Sequence, residues 1–433
     1  MKKLSPSYAR LAVASLLVPA AIFAVAVPAA YAADATPAAS APAPAPAAPA
    51  AASRAAAASS SLFAFADPKS LDVSSLSVVP APALDAKAWI VVDVTSGQIL
   101  TQSNPDAQVP PASLTKLMTF YLAANAVDEN RLPLDQQVTV SERAWRTGGS
   151  RMFIQPRLPV TVDQLFQGLI VDSGNDSAVA LAEAVAGSVD AFVTLMNQEA
   201  QKLGMRNTHF DNVDGLPDPQ HLTTARDLAI LSAHIVNDHA ALYHYFKQRD
   251  FTYNNIKQPN RNSLLWADPS VDGMKTGFTD AAGYCMIATA QRGDRRILTV
   301  VLGTPSVTAR SQDSLQLLNW GFQNFDDVKL YGANQPGMDV RVWEGQSENV
   351  RLGPPKPVWL TVPRGKTGDI KPVAHYPDPL IAPLAKGQQV GTLDLTLDGK
   401  VVRTEPLVAQ AAVERAGFFG RMIDMVKRRF SSK

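Results

Sequence analysis

The apolar pattern changes period repeatedly along the chain, and each change predicts an element. Leu11 to Val27 is a continuous apolar run behind Lys2, Lys3 and Arg10. From Ala33 to about Ser61 the residues are almost all Ala, Pro and Ser, with no period at all. Ala88 to Val94 and Gln98 to Leu100 flank a Thr95-Ser96-Gly97 turn and predict a β-hairpin. Leu114, Leu117, Met118, Tyr121 and Leu122 then recur at helical spacing behind Pro110-Pro111. A helix from Asp163 to Val171 and another from Ser177 enclose a short Asp172 to Asp176 loop. Gly283 to Ala290 and Arg296 to Gly303 are β-branched runs joined by Arg292-Gly293-Asp294, a second hairpin. From about Val328 to Gln410, short alternating segments such as Val358 to Val362 and Val390 to Leu397 predict a small β-sandwich. Phe418, Phe419, Met422, Ile423, Val426 and Phe430 fall on one helical face, with Arg421, Asp424, Lys427, Arg428 and Arg429 over the rest.

Composition narrows this picture. The sequence is 433 residues long, 46% of them apolar, which suits two or three units with a large core. A net charge of +1 gives no global argument for nucleic acid or polyanions. The apolar N-terminal run ends at Ala30-Tyr31-Ala32, a cleavage-site pattern before Ala33, and reads as a secretory signal peptide; an uncleaved anchor is the alternative. The Ala/Pro/Ser stretch reads as a linker, because it has nothing to bury. Cys285 is the only cysteine, so no intrachain disulfide forms. The expected organisation is therefore a signal peptide at 1–32, a linker at 33–80, a catalytic domain at 81–327, a β-rich domain at 328–410 and an amphipathic helix at 411–433. That helix fits a membrane interface, or docks on the β domain in the plainer reading.

Candidate chemistry begins at Ser113-Leu114-Thr115-Lys116, the only S-x-x-K in the chain. Residues three apart share a helix face, so the Lys116 amine can reach the Ser113 hydroxyl. A serine needs a base beside it, and a lysine serves if burial lowers its pKa. By itself the motif also fits a capping Ser and a surface Lys, but Lys116 lies among Leu114, Leu117 and Met118. Ser173-Gly174-Asn175 and Lys275-Thr276-Gly277-Phe278 follow. Each taken alone reads as a turn, but the ordered set matches the active-site signature of penicillin-binding proteins and serine β-lactamases. Lys366-Thr367-Gly368 and Ser347-Glu348-Asn349 repeat two of the patterns without an S-x-x-K nearby, and read as turns. The six histidines form no H-E-x-x-H pair, which argues against a zinc peptidase. His221, His234, His239 and His244 are expected to be surface or packing residues.

From about Ala83 to Phe430 the chain resembles the low-molecular-mass D-alanyl-D-alanine carboxypeptidases of the penicillin-binding protein 5 and 6 type. The resemblance is carried by Pro111 to Lys116, Ser173 to Asp176, Asn207 to Phe210, Val271 to Asp280 and Gly417 to Arg421. It implies an α/β (α+β) catalytic domain of the serine β-lactamase and transpeptidase type, a central antiparallel sheet flanked by helices, followed by the β-sandwich and the terminal helix. It implies an acyl-enzyme on Ser113, Lys116 as base, Ser173 as proton relay and Asn175 on the peptide backbone. Lys275, Thr276 and Gly277 would line the substrate strand, the Phe278 amide would serve the oxyanion, and Arg310 would hold the terminal carboxylate. No metal or cofactor is implied. The implied partners are peptidoglycan pentapeptides, β-lactams and a membrane surface at the outer face of the cytoplasmic membrane, in the periplasm, with no nucleic acid. A β-lactamase, a DD-endopeptidase and a peptidoglycan-binding protein with impaired catalysis use the same elements and remain alternatives. Two departures stand out: many relatives carry His where this chain has Phe278, and Thr147 to Phe153 is shorter than their cleft-rimming loop.

Overall fold

The computed structural model describes Phe63, Phe65 and residues 72–331 and 337–431, with side chains as far as Lys427. The expected signal peptide lies outside the described residues. So does most of the expected linker, but its last part behaves differently: Val73–Leu76 forms a 3₁₀ turn capped by Asp72, and Phe63, Phe65 and Val73 are buried. Phe65 is also held through its backbone, its N–H donating to Gly97 O at 3.1 Å and its carbonyl accepting from Arg226 Nη1 at 2.8 Å.

A five-stranded antiparallel sheet organises residues 88–304. Its strands are β1 (Ala88–Asp93), β2 (Gln98–Ser103), β3 (Val271–Thr279), β4 (Gly283–Arg292) and β5 (Arg295–Thr304). The spatial order is β2-β1-β5-β4-β3, so β3 is an edge strand. Both predicted hairpins are present. β1 and β5 read as continuous apolar runs because both sheet faces are covered. Alternate residues divide between two cores: Ile90, Val92, Leu298 and Val300 face one, whereas Val91, Ile297 and Val301 face the other.

The first core is built on helix α1 (Lys116–Asp128), which buries residues all round its circumference. Such a helix must lie inside the body and not on its surface. Helices α2 (Val162–Ile170) and α3 (Asn175–Ala186) pack against it. α3 starts two residues before the expected Ser177, because Asn175 already has helical backbone behind Gly174. The second core lies under α4 (Val307–Asn324). The β-rich region has its own core around Leu352, Leu360, Leu395 and Leu407, in a six-stranded sheet and a two-stranded one. It ends in α5 (Phe418–Ser431).

Candidate active site

Ser113 lies in a 3₁₀ turn, Ala112–Thr115, that runs directly into α1. Lys116 is the first residue of that buried helix and is itself completely buried. Its amine donates to Asn175 Oδ1 at 2.7 Å, to the Asp214 carbonyl at 2.6 Å and to Ser113 Oγ at 3.2 Å. All three partners are neutral oxygens. Burial therefore dominates, and lowers the Lys116 pKa from 10.5 to about 8, assisted by Arg261 and opposed by Asp214 and Asp176. The bond lengths also suggest where the proton goes. The amide and carbonyl oxygens only accept, and they hold the two short contacts, whereas a hydroxyl can donate as well. When Lys116 loses a proton, its lone pair points at Ser113.

The Ser173-Gly174-Asn175 loop brings the second element to this point. Ser173 is buried and left-handed, with φ 57°, a conformation that a non-glycine residue holds only when its surroundings enforce it. Asn175 is fixed from both sides: its backbone N–H donates to Ser150 O at 2.7 Å and its Nδ2 to Gly148 O at 2.7 Å. Asp176 accepts from the amides of Met152, Phe153 and Ile154, which ties the short cleft loop to α3.

The third element is the edge strand β3. Lys275 and Thr276 are buried there, and the Lys275 amine donates to Ser173 Oγ at 2.8 Å and to the Thr276 carbonyl at 3.0 Å. Burial, then Lys116, Arg261 and Arg310, push its pKa well below the ordinary lysine value. Gly277 lets β3 approach the Ser113 turn: a Cβ there would lie 3.2 Å from Pro111 O and 3.3 Å from the Ala112 Cβ. Phe278 is 47% exposed and stacks on Tyr284 at 4.3 Å. Arg310 is buried, not a free surface arginine on its helix, and its Nη1 donates to Gly277 O at 3.1 Å.

Ser113, Lys116, Ser173, Asn175, Lys275 and Thr276 are thus linked by hydrogen bonds or adjacency, and Gly277, Phe278 and Arg310 adjoin them. Reading the sequence missed several contributors. Asp214 acts through its carbonyl, which no residue type advertises. Gly215, with φ 88°, packs so closely on the Ala112 carbonyl that no side chain fits. Arg261 is exposed, yet its charge bears on Lys116, Lys275 and Arg310. Asp172 is buried beside Ser173, and burial followed by Asp176 pushes its carboxyl up to about 7. His221, read as a surface or packing residue, is buried and hydrogen-bonded to Thr115 in the Ala112–Thr115 turn.

Residues 76–306 match the model of the D-alanyl-D-alanine carboxypeptidase family, peptidase S11, and residues 325–415 match that of the penicillin-binding protein 5 C-terminal domain. The chain is similar to the D-alanyl-D-alanine carboxypeptidase DacC of Escherichia coli strain K12, with 43% identity over 81% of this chain and 90% of that protein. It is similar to the solved structure of penicillin binding protein 5 from Haemophilus influenzae, with a TM-score of 0.76 and 40% identity over 78% of this chain and all of that one. Penicillin-binding protein D2 from Listeria monocytogenes, solved in an ampicillin-bound form, superposes with a TM-score of 0.52 at 33% identity, covering 56% of this chain and 100% of that one. With three motif segments assembled around one hydroxyl and these relationships over most of its length, the chain belongs to the peptidase S11 family of serine D-alanyl-D-alanine carboxypeptidases.

Proposed function

We propose that this enzyme removes the terminal D-alanine from peptidoglycan stem pentapeptides through an ester on Ser113. Ser113 Oγ attacks the carbonyl between the two D-alanines while neutral Lys116 takes its proton. The Ser113 and Phe278 amides receive the developing oxyanion. The carbon–nitrogen bond breaks, and the proton passes from Lys116 through Ser173 to the departing amine. Lys275 donates to Ser173 Oγ, which leaves the hydroxyl hydrogen of Ser173 free for that transfer. Water then attacks the ester with Lys116 again as base, and the proton returns to Ser113. Asn175, Thr276 and Gly277 position the peptide, and Lys275 and Arg310 draw its terminal carboxylate into a cationic corner. A β-lactam enters the same cleft and acylates the same hydroxyl.

The observation that carries this reading is the Lys116 amine, wholly buried and 3.2 Å from Ser113 Oγ with only neutral partners. Mass spectrometry of the protein after penicillin treatment tests it. The expected result is a covalent adduct on Ser113 that is absent from Ser113→Ala, with D-alanine released from a pentapeptide by the parent alone. An adduct elsewhere, or none, overturns the assignment.

The further parts of the proposal concern placement. Residues 1–32 direct export, 33–80 form a tether that docks near its end, 81–327 carry the chemistry, 328–410 form the β domain, and 411–433 meet the outer face of the cytoplasmic membrane. On α5, Phe418 and Phe419 are 67% and 76% exposed, and Met422 and Ile423 are also exposed. Asp424 accepts from the Glu344 amide at 2.8 Å, so the helix is attached to the β domain through a polar contact while its described apolar side chains stay exposed. With 14 residues it is roughly 21 Å long, short of a bilayer core of about 30 Å, so it would lie in the interface. Sedimentation with anionic vesicles should be lost in Phe418→Ser/Phe419→Ser; unchanged binding would remove the membrane from the picture.

A further inference from the structure

Ala112, directly before the nucleophile, has φ 50°, a backbone conformation that L side chains resist. It must be held there. Gly215 leaves the Ala112 carbonyl room on one side. On the other, Thr115 Oγ1 donates to Ala112 O at 2.8 Å, and His221 Nε2 lies 2.7 Å from Thr115 Oγ1. His221 Nδ1 accepts the Asp211 backbone N–H at 2.9 Å. These contacts leave one assignment. A neutral imidazole has one donor and one acceptor nitrogen. Nδ1 accepts, so Nε2 carries the hydrogen and donates to Thr115, whose own hydrogen then goes to Ala112 O. The chain of bonds has one direction, from the Asp211 amide to the Ala112 carbonyl. Burial also keeps His221 neutral, lowering its pKa to about 4. Its segment is anchored where Val109 and Thr223 exchange backbone hydrogen bonds at 2.9 Å each.

The consequence lies on the far side of one peptide bond. A trans peptide is planar, and its N–H points opposite to its C=O. The Ala112 carbonyl and the Ser113 amide belong to the same plane. We infer that His221 is a positioning residue that, through Thr115 and the Ala112 carbonyl, sets the direction in which the Ser113 amide presents its hydrogen to the oxyanion. It rests on the assignment of Ser113 as nucleophile and of its amide as an oxyanion donor. Such a donor stabilises charge only where its aim is fixed before the reaction, so releasing the carbonyl costs rate and not affinity.

The test separates noncovalent penicillin binding from the acylation step by stopped-flow kinetics, on the full chain. His221→Ala and Thr115→Val should each slow acylation by roughly tenfold to a hundredfold while leaving the noncovalent dissociation constant unchanged. His221→Gln keeps a donor near the Nε2 position and should recover the rate to within roughly threefold of the parent. The double variant His221→Ala/Thr115→Val should be no slower than either single one, because both cut the same chain of bonds. If the double variant loses the product of the two effects, or Thr115→Val acylates at the parental rate, the inference is overturned. If His221→Ala fails to fold, the double variant is lost with it, and Thr115→Val and His221→Gln still decide the matter. A parent that penicillin does not acylate at Ser113 would overturn the functional assignment and this inference together, whereas an acylated parent with unaffected variants sinks the inference alone.

Discussion

Lys275-Thr276-Gly277 and Lys366-Thr367-Gly368 are the same tripeptide placed in opposite surroundings. The first runs along edge strand β3, with Lys275 buried against the Ser173 hydroxyl. The second leads into an exposed 3₁₀ turn, Thr367–Asp369, in the β-rich region. Lys275 has cations for neighbours and is held well below the ordinary lysine pKa, whereas Lys366 sits 3.0 Å from Asp369 and 3.7 Å from Asp398, and is held above it, chiefly by Asp369. One lysine is an amine buried among cations, the other a screened surface pair that contributes little. An amine becomes chemically useful where water has been taken away and no carboxylate replaces it.

The largest expected difference between the two sites is in rate. Lys275→Ala should slow D-alanine release by roughly a hundredfold or more, because it removes the buried amine hydrogen-bonded to Ser173. Lys366→Ala should leave release and the thermal midpoint unchanged. Equal effects would break the comparison. Next come the glycines. A Cβ on Gly277 meets Pro111 O, the Ala112 Cβ and the Leu114 side chain, all within 3.3 Å, whereas one on Gly368 meets nothing within 4 Å. Gly277→Ala should push β3 off the nucleophile turn and slow penicillin acylation by roughly ten- to a hundredfold; Gly368→Ala should match the parent.

The pH profile sharpens the same point at Lys116. Only its neutral form is a base, so acylation should rise with pH up to the Lys116 pKa of about 8. Arg261 helps keep that value low. Arg261→Gln removes a positive charge and should move this limb to higher pH; a limb that stays in place would show that burial alone sets it. The smallest effect is on stability. The folded pKa of Lys116 lies below its unfolded one, so the folded chain binds fewer protons there. The cost is fully present below about 8 and is relieved as pH rises through that value towards 10.5. Measured by urea unfolding, the parent should therefore gain stability relative to Lys116→Met across that window. Lys366→Met, which removes a lysine whose pKa is raised, should give no such gain.

The three motif segments were legible because each puts its chemistry in contiguous side chains. Ser113 and Lys116 sit one helical turn apart, and the β3 segment precedes an unmistakable hairpin. The α3 start was misplaced by two residues because the helix begins behind Gly174, which has no side chain to signal a cap. Val73 was assigned to a linker because one buried side chain leaves no periodic trace. His221 gave no signal for a different reason: its role depends on Thr115 and Asp211, which lie far from it in sequence or offer only a backbone group.

By itself the amino-acid order determined the two hairpins, the buried helix behind Ser113 and the three motif segments proposed to meet the substrate, since periodicity and local spacing act over a few residues. Folding alone decided how far the two identical K-T-G tripeptides differ in burial and charge, which carbonyl oxygens receive the Lys116 protons and how far that amine's pKa falls. These depend on desolvation and on charges brought together from distant parts of the chain, and neither quantity exists until the chain is packed.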